Sequence, residues 1–261
     1  MTIVKHELRW GRNSFLIWTA SIGFLMAVCI FLFPEMKEET ERLTEAFSSM
    51  GAFSTAFGMD RLSFGTLIGF YGIECGNILG LGGAFFASLC AANMLSKEEK
   101  ERTAEFLLTH PVSRVRIITE KLIAVFIQIT AMNLIIYVIS AASIAIIGEA
   151  IPWKELNLLH LAFYIMQLEL AGVCFGISAF MRKGSAGLGL GIAAITYFLN
   201  IVANISESAE FLKYITPFGY CEGADIITNG TLNGAMVATG IAICAAGIIA
   251  AYIKYMKKDI H

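Results

Sequence analysis

Charge is scarce in this chain. Asp, Glu, Lys and Arg make up 15% of its 261 residues, against about 25% in soluble domains. So few charges cannot clothe a water-facing surface, which excludes an ordinary soluble globular protein. No stretch concentrates positive charge and the net charge is −2, so nucleic acid finds no electrostatic footprint here. The chain also lacks G-x-x-x-x-G-K-[ST], H-E-x-x-H, G-x-S-x-G and C-x-x-C. Nothing in it is built to hydrolyse a nucleotide, to hold a catalytic zinc or to present an activated serine. His6, His110, His160 and His261 are too scattered to suggest a metal site. Cys29, Cys75, Cys90, Cys174, Cys221 and Cys244 follow no ligand spacing and lie mostly in apolar blocks. They read as small packing residues, not as a disulfide framework.

What is present is apolar. Hydrophobic residues are 57% of the chain and the mean hydropathy is +0.69. They come in blocks of about twenty, the length that crosses about 30 Å of hydrocarbon as a helix. The blocks are continuous, not alternating, which selects helices over a barrel. The fold class is therefore an all-α membrane protein, a single transmembrane domain over residues 1–261 with spans at about 14–33, 64–95, 122–148, 158–181, 186–206 and 234–253. The first block is too long for a signal-peptide core and runs into Phe31, Leu32, Phe33 and Pro34 with no small-x-small cleavage pattern, so it reads as a retained helix. The second exceeds the lipid thickness and must project or tilt.

Basic residues set the expected orientation. Fourteen of the 19 Lys and Arg fall on one set of flanks: Lys5, Arg9, Arg12, the 97–121 loop, Arg182, Lys183 and the 254–258 end. The positive-inside rule then puts both termini and that loop in the cytoplasm. Lys5, Arg9 and Arg12 share one helical face, with Ile3, Val4, Leu8 and Trp10 on much of the remainder. That pattern suits an amphipathic helix lying on the inner membrane surface, against anionic lipid. A plain topology anchor is the competing reading.

The loop SKEEKERTAEFLLTHPVSRVRIITEK, residues 96–121, carries the most information. Ser96 and Glu99 form an S-x-x-E capping box, so a helix should start there. Pro111 breaks the run at His110. Ser113 can cap a second helix feeding the third span. The product is a helical elbow with acidic residues in its first turns and an apolar patch of Phe106, Leu107, Leu108 and Val112. A plain connector needs only a few residues. The elbow reads as a docking surface, and a solvated charged loop is the alternative.

That stretch resembles the corresponding loop of ABC-2 type permeases, which pairs an acidic run and Thr-x-Glu with Leu-like residues and Pro-Val-Ser-Arg. The matching residues are Glu98, Glu99, Glu101, Thr103, Glu105, Leu107, Leu108, Pro111, Val112, Ser113 and Arg114; Arg102 stands where that family usually has Gly. LKYITPFGYCEGADII, with its Pro217-Phe218 pair, is similar to the family's segment before the last helix, and YMKKDI is similar to its ending. The resemblance implies the permease subunit of an ATP-driven exporter. It implies a separate ATPase carrying ATP and Mg, and a second permease, identical or homologous. The ATPase would dock on Glu98, Glu99, Glu101, Arg102, Glu105, Phe106, Leu107, Leu108 and Pro111. It also implies a multi-pass protein of a bacterial or archaeal plasma membrane. The cargo is left open among peptides, drugs, ions and lipid-like molecules. A stand-alone secondary carrier would show two repeat halves, which are not evident, and an enzyme or assembly factor is the other alternative.

Within the spans, Gly72, Gly76, Gly80, Ala84, Ser88 and Ala92 recur every fourth residue. Small residues on one face allow close helix approach in lipid. Intrachain packing is favoured over a subunit interface, and Gly172/Gly176 and Gly187/Gly191 are similar pairs. Glu169, with Gln167 near it, lies mid-span, where a charge costs about 2.5–3.5 kcal/mol even on a lenient scale. It belongs either to a transport path or to a hydrogen-bonded structural contact. Asn77, Gln128, Asn133, Asn200 and Asn204 need helix partners or water, and Asn229-Gly230-Thr231 reads as a turn.

Overall fold

Backbone amides in hydrocarbon have no water to bond, so each crossing segment closes its own hydrogen bonds as a helix. The computed structural model describes residues 2–40, 42, 46, 49–100, 112–181 and 186–258, leaving aside the Lys100 side chain. Its helices are α1 (Thr2–Trp10), α2 (Arg12–Glu38), α3 (Ala52–Ala56), α4 (Leu67–Ala92), α5 (Lys97–Lys100), α6 (Arg114–Ile146), α7 (Trp153–Ser178), α8 (Ala186–Ile205), α9 (Gly223–Asn229) and α10 (Gly234–Lys257). Six of them, α2, α4, α6, α7, α8 and α10, are long and apolar enough to cross a membrane. They coincide in order with the apolar blocks of the sequence.

The boundaries carry physical detail. Helix α2 passes through Pro34 and ends at Glu38, beyond its expected limit. Helix α4 contains a π-helical turn, Tyr71–Cys75. Ser113 caps α6 as expected: its side chain accepts from the Arg116 amide at 3.3 Å. With 33 residues, α6 is about 50 Å long, well beyond the hydrocarbon thickness, so at least one of its ends stands outside it. Gly230 adopts φ 61° and closes α9, which makes the Asn-Gly-Thr sequence a turn.

Helix α7 is the centre of the bundle, packed most heavily on α10 and then on α4. The apolar windows of α7 and α4 are 67% and 61% buried, against 11% for α10. The outer helices α2, α8 and α10 therefore offer most of their surface to lipid or to another subunit.

Small residues set how closely these helices approach. The Phe163 ring of α7 sits on the α4 ladder, where a Cβ added at Gly80 would lie 3.0 Å from Phe163 Cε1. Ala84, Ser88 and Ala92 further along the ladder are fully buried. The α7–α10 crossing is closer still, backbone against backbone: a Cβ at Gly176 would lie 2.6 Å from the Gly247 carbonyl oxygen, and one at Gly247 the same distance from that of Gly172. Gly187 and Gly191 are not a packing pair. Gly187 is exposed and nothing lies within 4 Å of a Cβ at Gly191. The face of α8 that meets α4 is nearly opposite, two residues on at Gly189, whose Cβ would fall 2.8 Å from the Ser88 carbonyl oxygen. A four-residue spacing identifies a face, but the packing direction is chosen by the neighbour.

Gly176→Leu should therefore force α7 from α10 and destabilise the purified protein by at least the ~1–3 kcal/mol typical of overpacking. Gly191→Leu, directed at open space, should stay within about 0.5 kcal/mol of wild type. Unfolding of both variants in one detergent checks the contrast.

Candidate functional site

At one end of the bundle the N-terminus, the root of the 96–121 loop and the end of α10 converge. Helix α1 buries Val4 and Glu7 and exposes Lys5 and Arg9, so its basic face is free for lipid while its acid points inward. Glu120, on the first turns of α6, supplies the N-terminal cap of α1 from outside that helix. Its Oε2 accepts from the amides of Ile3 at 3.0 Å and Val4 at 3.4 Å.

Lys121 is the hub. It is 0% exposed, and an ammonium has three protons to place. One goes to the Met94 carbonyl at 2.7 Å; the others face Glu7 Oε1 at 3.2 Å and Glu98. Glu7 also pairs with Lys97, Glu120 with Arg116 at 2.8 Å, and Glu99 with Lys258 at 2.5 Å. Four carboxylates thus meet four cations, and no buried charge of the set is left without a partner. Lys258 also donates to the Met181 carbonyl at 2.7 Å. Arg114 reaches the carbonyls of Tyr255, Met256 and Lys258 at 3.2, 3.2 and 2.6 Å and caps the end of α10.

The root of the elbow is therefore fastened to α1 through Lys97, to α6 through Glu98 and to the end of α10 through Glu99. Helix α5 begins at Lys97 as the capping box implies. The box itself does not form: the buried Ser96 hydroxyl has no partner among the described residues, and Glu99 turns to Lys258 instead. A carboxylate gains more from a buried ammonium than from a backbone amide, which carries no net charge. Glu101, Arg102, Glu105, Phe106, Leu107, Leu108 and Pro111 lie outside the described residues.

The polar groups inside the spans pair between helices. Gln167 is 0% exposed and accepts from Asn133 Nδ2 at 2.7 Å. Glu169, 3% exposed, accepts from the Tyr220 hydroxyl at 2.8 Å, beside the gap that Gly240 leaves on α10. The two face different neighbours and are not brought together. His160 Nε2 lies 2.6 Å from the Tyr71 hydroxyl, which donates to Ser140 at 3.0 Å. Gly72, Gly76 and Gly80 border a small cavity with Asn77 and Asn200, while Ala84 and Ser88 are buried in the packing below it.

Sequence reasoning counted Lys97, Arg116 and Lys121 as topology signals and missed their partners, Glu7 for the two lysines and Glu120 for Arg116. The available signal was position. Glu7 breaks the apolar face of α1, and Glu120-Lys121 sits where the third apolar block begins.

Removing the Lys121 charge strands buried carboxylates. Lys121→Met should cost about 3–5 kcal/mol, the range for breaking a buried ion pair, whereas Arg116→Met removes a half-exposed guanidinium and should cost about 1 kcal/mol or less, because Glu120 keeps its bonds from the Ile3 and Val4 amides. Burial pushes the Glu7 carboxyl up, but Lys121 and Lys97 outweigh it and hold it below its ordinary 4.5. Its contribution to stability is thus complete above pH 4.5 and is lost as pH falls through the lower folded-state value. Glu7→Gln should be less stable than wild type at neutral pH and converge with it in acid, as read by unfolding across pH.

Comparison with known proteins agrees with this architecture. No curated protein matches the chain. The family described as "ABC-2 family transporter protein" matches residues 1–260. That match runs through α1, all six apolar helices, the loop root and the end of α10, so the chain belongs to the ABC-2 family of transporter proteins.

Proposed function

We propose that this chain is the permease subunit of an ABC exporter and that a separate ATPase, carrying ATP and Mg, drives it through the 96–121 elbow. The observation that carries the reading is the fastening of the elbow's root by charge to α1, α6 and α10. A push on a loop is useful only if the loop cannot yield alone. Here displacement of residues 97–100 must either move three other segments or break buried ion pairs. Docking itself is assigned to the elbow beyond the root. Phe106, Leu107 and Leu108 are the apolar anchors, with Glu101, Arg102 and Glu105 as a charged rim and Pro111 at the turn. Glu98 and Glu99 then serve as the transmission joint instead of the contact surface.

The membrane arrangement follows from charge. Both termini and the elbow are assigned to the cytoplasm on the positive-inside rule, with α1 along the lipid surface; on the family resemblance the membrane is taken as a bacterial or archaeal plasma membrane. A second permease, of the same or a related sequence, is placed against the exposed helices. The transport path is assigned to the interior acid and amide of α7, Glu169 and Gln167. They are held in this conformation by Tyr220 and Asn133, and would be released when α7 shifts against its neighbours. The direction of transport is taken as outward.

Two measurements test this. In a Cys-free background, a cysteine at position 100 or 257 should resist a membrane-impermeant label in intact cells; labelling there overturns the orientation. Phe106→Ala or Leu107→Ala should weaken ATPase association by about 1–2 kcal/mol while membrane insertion is unchanged, measured by pull-down of the ATPase. Wild-type association in both variants would remove the docking assignment.

A further inference from the structure

The end of the bundle opposite the ionic cluster holds a small, partly open pocket. Helices α4 and α8, with the segment leading into α9, line a space of about 50 Å³, room for a few water-sized groups. Gly72, Gly76 and Gly80 form one wall, with Phe163 packed against Gly76 and Gly80. The polar wall is Asn77, Tyr197, Asn200 and Glu222.

Each of these groups presents an acceptor. Asn77 Nδ2 gives one of its two protons to the Ile73 carbonyl at 2.7 Å, and Asn77 Oδ1 takes the Tyr197 proton at 3.2 Å, which leaves the phenol oxygen with its lone pairs only. Glu222 Oε2 accepts from Asn204 Nδ2 at 2.9 Å. Arg61, the nearby guanidinium, is engaged with Asp225 at 2.5 Å, and among the described residues no lysine or arginine is ion-paired with Glu222. Asn200 is 8% exposed and its Oδ1 has no hydrogen-bond partner among the described residues. A buried, unpaired acceptor is costly and rare, and asks for an explanation.

From this wall we infer that the cavity binds a small monovalent cation, or the primary ammonium end of a larger molecule, on Glu222, Asn200 Oδ1 and the Asn77–Tyr197 oxygens. Anions are excluded by the carboxylate. A neutral guest would add nothing to the charges of Lys213 and Arg61, which favour the carboxylate without pairing with it. A divalent metal wants six to eight oxygens or an octahedron with several carboxylates, and among the described residues no cluster of three His, Cys, Asp or Glu exists. One carboxylate with neutral oxygens balances one positive charge. Burial already pushes the Glu222 carboxyl up from 4.5, against the Asn204 bond, and a bound cation reverses that penalty. The site requires no partner protein, so its test is independent of the ATPase reading.

The experiment is thermal unfolding of the purified full chain in detergent at constant neutral pH and chloride. Choline, too large for the cavity, is exchanged for sodium, potassium or methylammonium. The midpoint should rise saturably, by about 5–10 °C at roughly a hundred times Kd. A response to an alkali ion identifies the ion; a response to methylammonium alone identifies the amine group of a larger ligand. Glu222→Gln keeps the bond to Asn204 and the side-chain size and should lose the shift. Asn200→Ala should raise the half-saturating concentration about tenfold, and carries the test if the Glu222 variant does not fold. Equal midpoints in all salts, an unchanged shift in Glu222→Gln, or an undiminished response in Asn200→Ala would overturn the assignment.

Discussion

The charge on Lys121 has to be satisfied where water does not reach it, and much of the molecule's basic-rich end is organised around that need. An ammonium buried alone is unstable by several kcal/mol. Glu7 and Glu98 supply the opposite charge, and each brings its own element: α1 for Glu7 and the loop root for Glu98. Lys97 and Lys258 then balance the neighbouring carboxylates, which draws in the end of α10. One buried cation thus explains why segments far apart in sequence meet at a single point.

The apolar interior works by a different rule. Without a hydrophobic drive between helices in lipid, contact depends on close fit. Gly172, Gly176 and Gly247 bring α7 and α10 to backbone contact, and Gly189 does the same for α8 against α4. The result is a central α7 with close crossings to its neighbours, while α2, α8 and α10 are less covered by the chain itself. A close-packed interior passes movement on instead of absorbing it. This makes the ionic joint and the glycine crossing parts of one mechanical path: α10 is held to the loop root by Lys258–Glu99 and to α7 by its glycines.

Much of this was legible in the sequence because hydrocarbon leaves few choices. A block of twenty apolar residues must be a helix, and all six were placed from length and hydropathy alone. The Ser113 cap was also local and readable. The ionic joint was not, because Glu7 and Lys121 are over a hundred positions apart and only the tertiary fold pairs them. Ser96-x-x-Glu99 shows the limit of local rules: the motif marked where α5 begins, but the Glu99 carboxylate found a stronger partner in Lys258. Asn77, Asn200 and Asn204 were recognised as needing partners. That Asn77 and Asn204 find them while Asn200 Oδ1 finds none among the described residues became visible only once the helices were assembled.

The central claim is that the loop root transmits force through its ion pairs, and a charge swap tests it most directly. Glu99→Lys and Lys258→Glu, separately and together, are reconstituted with the ATPase in vesicles, and binding and ATP hydrolysis are measured. The account predicts that each single reversal still binds the ATPase but no longer changes its hydrolysis rate, and that the double swap restores the effect. Single reversals that alter ATP hydrolysis as fully as the wild-type permease would contradict it.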